Sequence, residues 1–126
     1  MRSFALVAAG GAAGTLARHG VSEALGPDRL FPVATFLVNV TGSFALGALL
    51  AVLLVRRRPA PSDRLRLLVG TGFLGGYTTY SALAVETDAL LRGDHVALGL
   101  AYAVGSVLAG LVAAGAGVAT GRAVAR

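Results

Sequence analysis

The middle of the chain reads Gly70-Thr71-Gly72-Phe73-Leu74-Gly75-Gly76-Tyr77-Thr78-Thr79-Tyr80-Ser81. This run has too many glycines and hydroxyl side chains for a plain lipid-facing helix, and apolar sequence flanks it on both sides. Non-helical backbone at membrane depth is tolerated only where protein buries it or where it lines a water-filled path. Carbonyls freed by such a break can bind a cation, and hydroxyls can donate to an anion. The run therefore predicts an interrupted helix with an ion-handling site.

The composition predicts an integral membrane protein. Of the 126 residues, 56% are hydrophobic and 13% are charged, whereas a soluble domain carries about 25% charged residues. There is no cysteine, so the chain forms neither disulfides nor thiolate metal sites, and two histidines alone do not favour zinc. The net charge is +5. Because the arginines lie in the gaps between apolar runs, we expect no nucleic-acid partner.

Four apolar runs predict an all-α membrane protein with four transmembrane helices in a single unit over residues 1–126. The runs cover about residues 4–25, 30–55, 65–91 and 96–118, and each meets the roughly 20 residues that a helix needs to cross the hydrocarbon. Proline, glycine and charged residues mark the connectors at 26–28, 56–63 and 92–94. The third span is the one expected to break at mid-membrane.

The arginines are unevenly distributed along this predicted topology. With four spans, both termini and the second connector share one side, which carries eight arginines against two on the other. Arg18 lies at the end of the first span nearest the arginine-poor side. The positive-inside rule then places both termini in the cytoplasm of a multi-pass protein of the cell membrane.

Small residues recur at a spacing of four, which lets membrane helices approach closely. The pairs are Gly10/Gly14, Gly72/Gly76, Ser106/Gly110 and Gly117/Gly121. They predict packing surfaces rather than chemistry. A bundle this small has little interior for a pathway, so an oligomer is expected.

Several polar side chains fall inside the predicted spans. Asn39 lies near the middle of the second span, one turn after Thr35, so the two share a face. Asn39 either joins helices or offers its amide to an ion path. Tyr102 and Ser106, four apart in the fourth span, form either a packing seam or a polar track. Glu86, near the end of the third span, either shapes a vestibule or caps packing.

Ionisable groups are missing from the centres of the predicted spans. Proton-coupled transport runs on such groups, whereas hydroxyls and an amide suit a small anion because their donors replace its water. A small dual-topology exporter of cationic drugs is the alternative, and it would want a carboxylate at the centre of the first span. No nucleophile–base arrangement or phosphate loop is visible, so we expect no enzyme.

Four segments together resemble subunits of the Fluc-type (CrcB-like) fluoride channels over essentially the whole chain. They are Gly10–Arg18, Thr35–Phe44, Gly72–Ser81 and the pair Tyr102 and Ser106. The resemblance implies a fluoride-selective channel that exports fluoride passively across the cytoplasmic membrane and lowers cytosolic fluoride. It also implies a dimer of two four-helix subunits inserted antiparallel, with two fluoride pathways along the interface.

The resemblance also assigns roles to residues. It implies a structural Na⁺, not transported, held at the dimer centre by the backbone carbonyls of Gly75 and Thr78. The positions that match the fluoride pathway are Asn39, Thr79, Tyr80, Ser81, Tyr102 and Ser106. Arg18 and Glu86 match a first-span arginine and a third-span glutamate of the family, without a settled role.

Two departures from the family pattern are informative. The family motif continues Thr-Thr-Phe-Ser-Thr-Phe, and its phenylalanines present electropositive ring edges to fluoride. Tyr80 replaces the first and keeps a ring edge, whereas Leu83 replaces the second and has none; Ala82 stands in place of the threonine. One fluoride track is therefore expected to be weakened. This leaves open a non-conducting structural subunit that completes a partner's pore.

The arginine bias bears on the partner. A subunit that inserts in both orientations should show little bias, because one chain serves both. We therefore favour a heterodimer with an oppositely oriented Fluc-type relative, and a homodimer is the competing interpretation.

Overall fold

The computed structural model describes residues 1–26, 30–56 and 61–126. Throughout these ranges the regular structure is helical, in the order α1 (Arg2–Leu25), α2 (Val33–Arg56), α3 (Pro61–Leu65), a π-helix (Arg66–Leu74), α4 (Gly75–Tyr77), α5 (Tyr80–Arg92) and α6 (Val96–Ala125). The connectors predicted at 26–28 and 56–63 fall partly outside the described residues. We call the segment from α3 to α5 the third run.

Within the described residues, two helices are long and apolar enough to cross a membrane, α2 over Val33–Val55 and α6. Helix α1 has 24 residues, or about 36 Å at 1.5 Å per residue, but it is less apolar than α2. The third run contains no single helix of that length because it is interrupted. Helix α6 continues to Ala125, beyond the predicted end at 118.

The helices α2 and α6 run parallel and touch backbone to backbone. A Cβ added at Gly47 would collide with the carbonyl of Ala114, and one at Gly117 would collide with that of Phe44. One turn later, Gly121 meets the Ala48 carbonyl in the same way. These contacts confirm the packing role predicted for Gly117 and Gly121, and they explain why α6 stays helical past 118.

Glycines also join α1 to the first half of the third run, again in parallel. A Cβ at Gly10 would collide with the Leu68 carbonyl, and one at Gly14 with the Phe73 carbonyl. From the other side, Gly72 and Gly76 are pressed against the backbone of α1. The pairs Gly10/Gly14 and Gly72/Gly76 are thus confirmed as packing surfaces. Gly110 is looser, because a Cβ there would lie 3.4 Å from the nearest atom, the Ser43 Oγ.

Helix α2 runs antiparallel to the third run, since Gly42 lies against Thr78 whereas Gly70 lies against Leu46 and Leu49. The start of α1, the end of α2, the start of α3 and the end of α6 therefore share one end of the molecule. The exposed arginines of that end include Arg64, Arg66, Arg122 and Arg126.

The π-helix Arg66–Leu74 was not predicted from the sequence. Its nine residues lead directly into α4 and the interruption. Helices of this type are rare, occur mostly as single turns and are frequent at functional sites.

The protomer buries few side chains. Leu83, Leu90 and Tyr102 form its main apolar cluster, whereas Leu111 and Val112 on α6 are 64% and 73% exposed. Large exposed apolar faces indicate contact with lipid or with another protein.

Candidate functional site

The interruption in the third run lies at two threonines. Helix α4 ends at Tyr77, Thr78 and Thr79 both have extended backbone, and α5 begins at Tyr80. The break predicted in this run is therefore confirmed.

The side chain of Asn39 on α2 replaces the missing helical partners of Thr79. Its Nδ2 donates to the Thr79 carbonyl at 2.9 Å, and its Oδ1 accepts from the Thr79 N–H at 2.8 Å. Both polar groups of one extended residue are thus satisfied by one amide. The geometry favours the helix-joining interpretation of Asn39, although one Nδ2–H is left for another acceptor.

The two threonine hydroxyls cap the helix ends on either side of the break. Thr78 Oγ1 donates to the Leu74 carbonyl at 2.8 Å, and Thr79 Oγ1 accepts from the Ala82 N–H at 3.2 Å. Thr79 is therefore the N-cap of α5, a position at which threonine is a preferred residue. Its hydroxyl also lies 3.2 Å from the Ser81 Oγ.

These hydrogen bonds take helical donors away from two carbonyls. In a continuous helix, the Thr79 N–H would bond to the Gly75 carbonyl and the Ala82 N–H to the Thr78 carbonyl. Here those donors go to Asn39 and to the Thr79 hydroxyl instead. Gly75 and Thr78 thus lack the partners that a continuous helix would provide, at the two positions predicted to bind a cation.

The break lies on a groove of about 500 Å³, which we call the main groove. Several predicted site residues line it, namely Asn39, Gly75, Thr78, Thr79, Tyr80, Leu83 and Ser106. Tyr80 is 81% exposed, whereas Ser106 is 5% exposed and Leu83 is 8% exposed. The Ser106 Oγ is buried without a hydrogen-bond partner in the described part of the chain. A buried hydroxyl of this kind is a donor in search of an acceptor.

A second cavity of about 390 Å³ lies towards the other end of α5, and Thr35 and Glu86 line it. The Glu86 carboxylate accepts from Thr35 Oγ1 at 2.7 Å and from the Tyr102 hydroxyl at 2.6 Å. Tyr102 is 1% exposed, and the ring of Phe31 packs edge-on against it at 5.4 Å. We call Thr35, Glu86 and Tyr102 the Glu86 cluster.

The sequence-predicted residues thus fall into two groups. Thr35 and Asn39 do share a face of α2, as expected, but they reach different parts of the third run. Tyr102 belongs to the Glu86 cluster rather than to the main groove. Ser81 is exposed beside Thr79. Arg18 is half-buried near the end of α1 and lines neither cavity.

Sequence reasoning missed the Glu86 cluster as a unit. Its members come from three helices, and Thr35 lies 51 positions from Glu86. The available signal was a carboxylate inside an apolar run, because such a group needs hydrogen-bond donors close to it.

A metal ion at this site would depend on main-chain oxygens. Over residues 1–26, 30–56 and 61–126, no group of three or more His, Cys, Asp or Glu side chains is placed to hold one. The main-chain carbonyls at the break are oxygen ligands, which suit a hard cation.

The chain is similar to known proteins along most of its length. A family model described as "CrcB-like protein, Camphor Resistance (CrcB)" matches residues 5–118. A Leifsonia xyli subsp. xyli protein named "Fluoride-specific ion channel FluC 2" is 45% identical, covering 98% of this chain and 86% of the relative. A Gloeobacter violaceus protein named "Fluoride-specific ion channel FluC" is 46% identical, with coverages of 93% and 94%. A Rhodococcus jostii protein named "Fluoride-specific ion channel FluC 2" is 47% identical, with coverages of 86% and 90%.

Proposed function

The chain belongs to the CrcB-like protein family, and we propose that it is a subunit of a fluoride-selective channel through which fluoride leaves the cytoplasm passively. The observation that carries this proposal is the match along nearly the whole chain to relatives named as fluoride-specific ion channels. Fluoride enters cells as neutral HF and ionises inside, so a passive path for the anion is enough to lower its cytosolic level. The protein acts as a channel, not as an enzyme.

The proposal includes four membrane spans with both termini in the cytoplasm. The lengths of α2 and α6 support two of them. The backbone contacts of α1 with the third run support the other two, since these segments lie parallel in the same bundle. The collection of Arg64, Arg66, Arg122 and Arg126 at one end supports the orientation.

An antiparallel partner protomer would close the main groove. The groove is open along one side, and Tyr80 on its edge is 81% exposed. Such exposure suits a residue that a second subunit covers. The partner is an oppositely oriented Fluc-type subunit, either a relative, as the arginine bias favours, or a second copy.

The Gly75 and Thr78 carbonyls are proposed to hold a structural Na⁺ between the two subunits. This assignment is supported by the loss of the helical donors of both carbonyls, the N–H groups of Thr79 and Ala82. When bound, the ion supplies positive charge next to the anion path and joins the subunits. The chain's own contribution is to direct the helical donors of both carbonyls to Asn39 and Thr79 instead.

Fluoride would cross along donors in the main groove. The buried Ser106 hydroxyl, with no partner in the described structure, is the strongest candidate to replace a water of the ion. The hydroxyls of Thr79 and Ser81 and the ring edge of Tyr80 would extend the path. Tyr102 remains a predicted pathway residue, and its hydroxyl would have to leave Glu86 to reach the ion.

Reconstitution tests the proposal directly. The purified chain is placed in liposomes loaded with fluoride, and efflux is followed with a fluoride electrode, first alone and then with an oppositely oriented relative. Efflux of fluoride in preference to chloride is expected from the paired sample. Efflux from the chain alone would contradict the heterodimer, and absence of efflux with every partner would contradict the channel.

A non-conducting structural subunit is the second candidate, and Leu83 favours it. Leu83 lines the main groove without an aromatic edge. The substitutions Tyr80→Ala and Asn39→Asp in this chain alone, within a conducting complex, separate the two. Reduced conductance supports a conducting role, and unchanged conductance supports the structural one. The exporter alternative is not favoured, because the relatives are named as channels.

A further inference from the structure

Helix α2 holds the break at a second point, distinct from Asn39. The Tyr77 hydroxyl at the end of α4 lies 3.1 Å from Thr41 Oγ1. Phe73 stacks on the Tyr77 ring, with the ring centroids 5.9 Å apart. Neither Tyr77 nor Thr41 lines the main groove or the second cavity. This contact therefore has no part in the pathway described above.

The direction of the hydrogen bond follows from the neighbours of Thr41. Its Oγ1 lies 2.6 Å from the Leu37 carbonyl, which only accepts. The threonine hydroxyl has one hydrogen, and the helix carbonyl takes it. Tyr77 must therefore be the donor and Thr41 the acceptor.

Helix α4, Gly75–Tyr77, is the last helical turn before the break, and it continues the π-helix directly. On one side Gly76 packs against the backbone of Gly11 on α1, and on the other side α2 contacts this turn. Gly42 lets the break approach α2, since a Cβ there would collide with the Thr78 methyl group. Thr41 directly precedes Gly42 on α2. Its hydrogen bond to Tyr77 therefore holds α4 at the short distance from α2 that Gly42 permits.

The environment strengthens this bond. Thr41 is exposed and Tyr77 is half-buried in the protomer, on a surface that lies at membrane depth in the proposed topology. Hydrocarbon offers no competing hydrogen-bond partners, so a hydroxyl that loses its acceptor there stays unsatisfied.

We propose that Tyr77 and Thr41 are positioning residues, which fix α4 so that the Gly75 and Thr78 carbonyls keep their orientation at the break. Tyr77 lies between Gly75 and Thr78 in the chain. A shift of the α4 backbone at Tyr77 therefore moves both carbonyls. The part of this inference that concerns the cation rests on the proposed function. The part that concerns the order of α4 does not.

The first test measures how strongly Na⁺ raises the melting temperature of the purified protein in detergent, with its partner subunit if one is required. Tyr77→Phe removes the hydrogen bond and leaves Thr41 bonded to Leu37, so we expect the Na⁺ concentration for half the shift to rise about threefold. Thr41→Val should have a larger effect, because the Tyr77 hydroxyl is then left without an acceptor. The double variant should return to the Tyr77→Phe value.

Thr120→Val is the matched control. Thr120 makes the same kind of bond, from its Oγ1 to the Ala116 carbonyl at 2.9 Å, on exposed α6. Thr120 has no contact with the break. The melting temperature of the Thr120→Val protein should therefore depend on Na⁺ as that of the wild type does. The inference would be overturned if Thr120→Val raised the Na⁺ concentration for half the melting-temperature shift as much as Tyr77→Phe does. It would also be overturned if the effect of the double variant equalled the sum of the two single effects.

Hydrogen exchange supplies a readout that needs neither fluoride nor Na⁺. Amides of residues 75–78, which belong to α4 and its end, should exchange faster in Tyr77→Phe, while peptides from α6 stay unchanged. Unchanged exchange at 75–78 overturns the positioning role even if the wild type conducts fluoride. Faster exchange together with a wild type that never conducts would overturn the proposed function and leave the positioning role standing.

Discussion

The α2–α6 interface and the break in the third run are stabilised by different kinds of interaction. Between α2 and α6, Gly47, Gly117 and Gly121 bring carbonyls and α-carbons into contact, and the helices stay continuous. At the break, the backbone leaves the helix for two residues, and the side chains of Asn39, Thr78 and Thr79 bond to the main chain. One region is held by close packing and the other by hydrogen bonds.

This difference indicates how a small membrane protein keeps a polar site at depth. Close packing needs small residues and leaves no room for polar groups, so it gives a rigid support. An interrupted helix leaves main-chain N–H and C=O groups without their helical partners. Each of these groups that does not bind an ion needs another hydrogen-bond partner, because water is absent from hydrocarbon. Variants in the first region should therefore prevent folding, whereas variants in the second should leave a folded protein with an altered site.

The largest effect is expected from Gly117→Val. Its Cβ would collide with the Phe44 carbonyl, which is backbone and has no rotamer to move. Overpacking costs about 1–3 kcal/mol and occasionally more, and since the backbone has no rotamer to yield we expect loss of the monodisperse peak in size-exclusion chromatography. Gly115→Val is the control, since a Cβ there meets nothing within 4 Å. Equal recovery of the two variants would contradict the packing role.

Asn39→Ala should come next, because it removes both bonds to the Thr79 backbone. Two main-chain groups then lose their partners, at roughly 2–3 kcal/mol in total. We expect a folded protein with a lower melting temperature and strongly reduced fluoride efflux. Thr120→Ala, on exposed α6, should leave both unchanged. A normal melting temperature for Asn39→Ala would show that the amide does not support the break.

Thr79→Ala should have a smaller effect, limited to the start of α5. It removes the acceptor for the Ala82 N–H, and loss of an N-cap costs about 1 kcal/mol. Hydrogen exchange at residues 80–83 should rise while α4 keeps its protection. Thr79→Ser keeps the acceptor and should restore the wild-type exchange rate; failure of this rescue would argue against capping.

The smallest effect is expected from Asp88→Asn at the far end of α5. Asp88 accepts from the Arg92 Nε at 2.8 Å, with side chains 59% and 80% exposed. This hydrogen bond and the attraction between the charges raise the pKa of Arg92 above its usual value. Exposed pairs contribute little to stability, so the melting temperature should not change measurably. A clear decrease would mean that the pair is covered in the assembled channel.

Much of the helical layout followed from residue types at short spacing. The apolar runs predicted α1, α2 and α6, and the glycines four apart predicted where the backbones touch, because both patterns are local. The glycines and hydroxyls of residues 70–81 predicted the break. The π-helix before it was missed, because apolar pattern and glycine content do not distinguish it from an α-helix.

The candidate site was predicted as a set of residues and not as a set of contacts. Asn39, Thr79 and Ser106 do line one groove. The division of Asn39 and Tyr102 between two clusters was not foreseen, nor was the bond between Tyr77 and Thr41. A hydroxyl or amide has several possible partners within reach of its helix face, and its sequence position does not select among them.

The sequence alone determined that this chain is helical, that its third run is interrupted within residues 70–81, and that its arginines collect at one end. Those properties depend on residue type and spacing, which the chain carries before it folds. Only the tertiary structure decided that Asn39 bonds to the backbone of Thr79, and that Thr35 and Tyr102 converge on Glu86. Such partners lie 16 to 51 positions apart, and helix packing brings them within reach of one another.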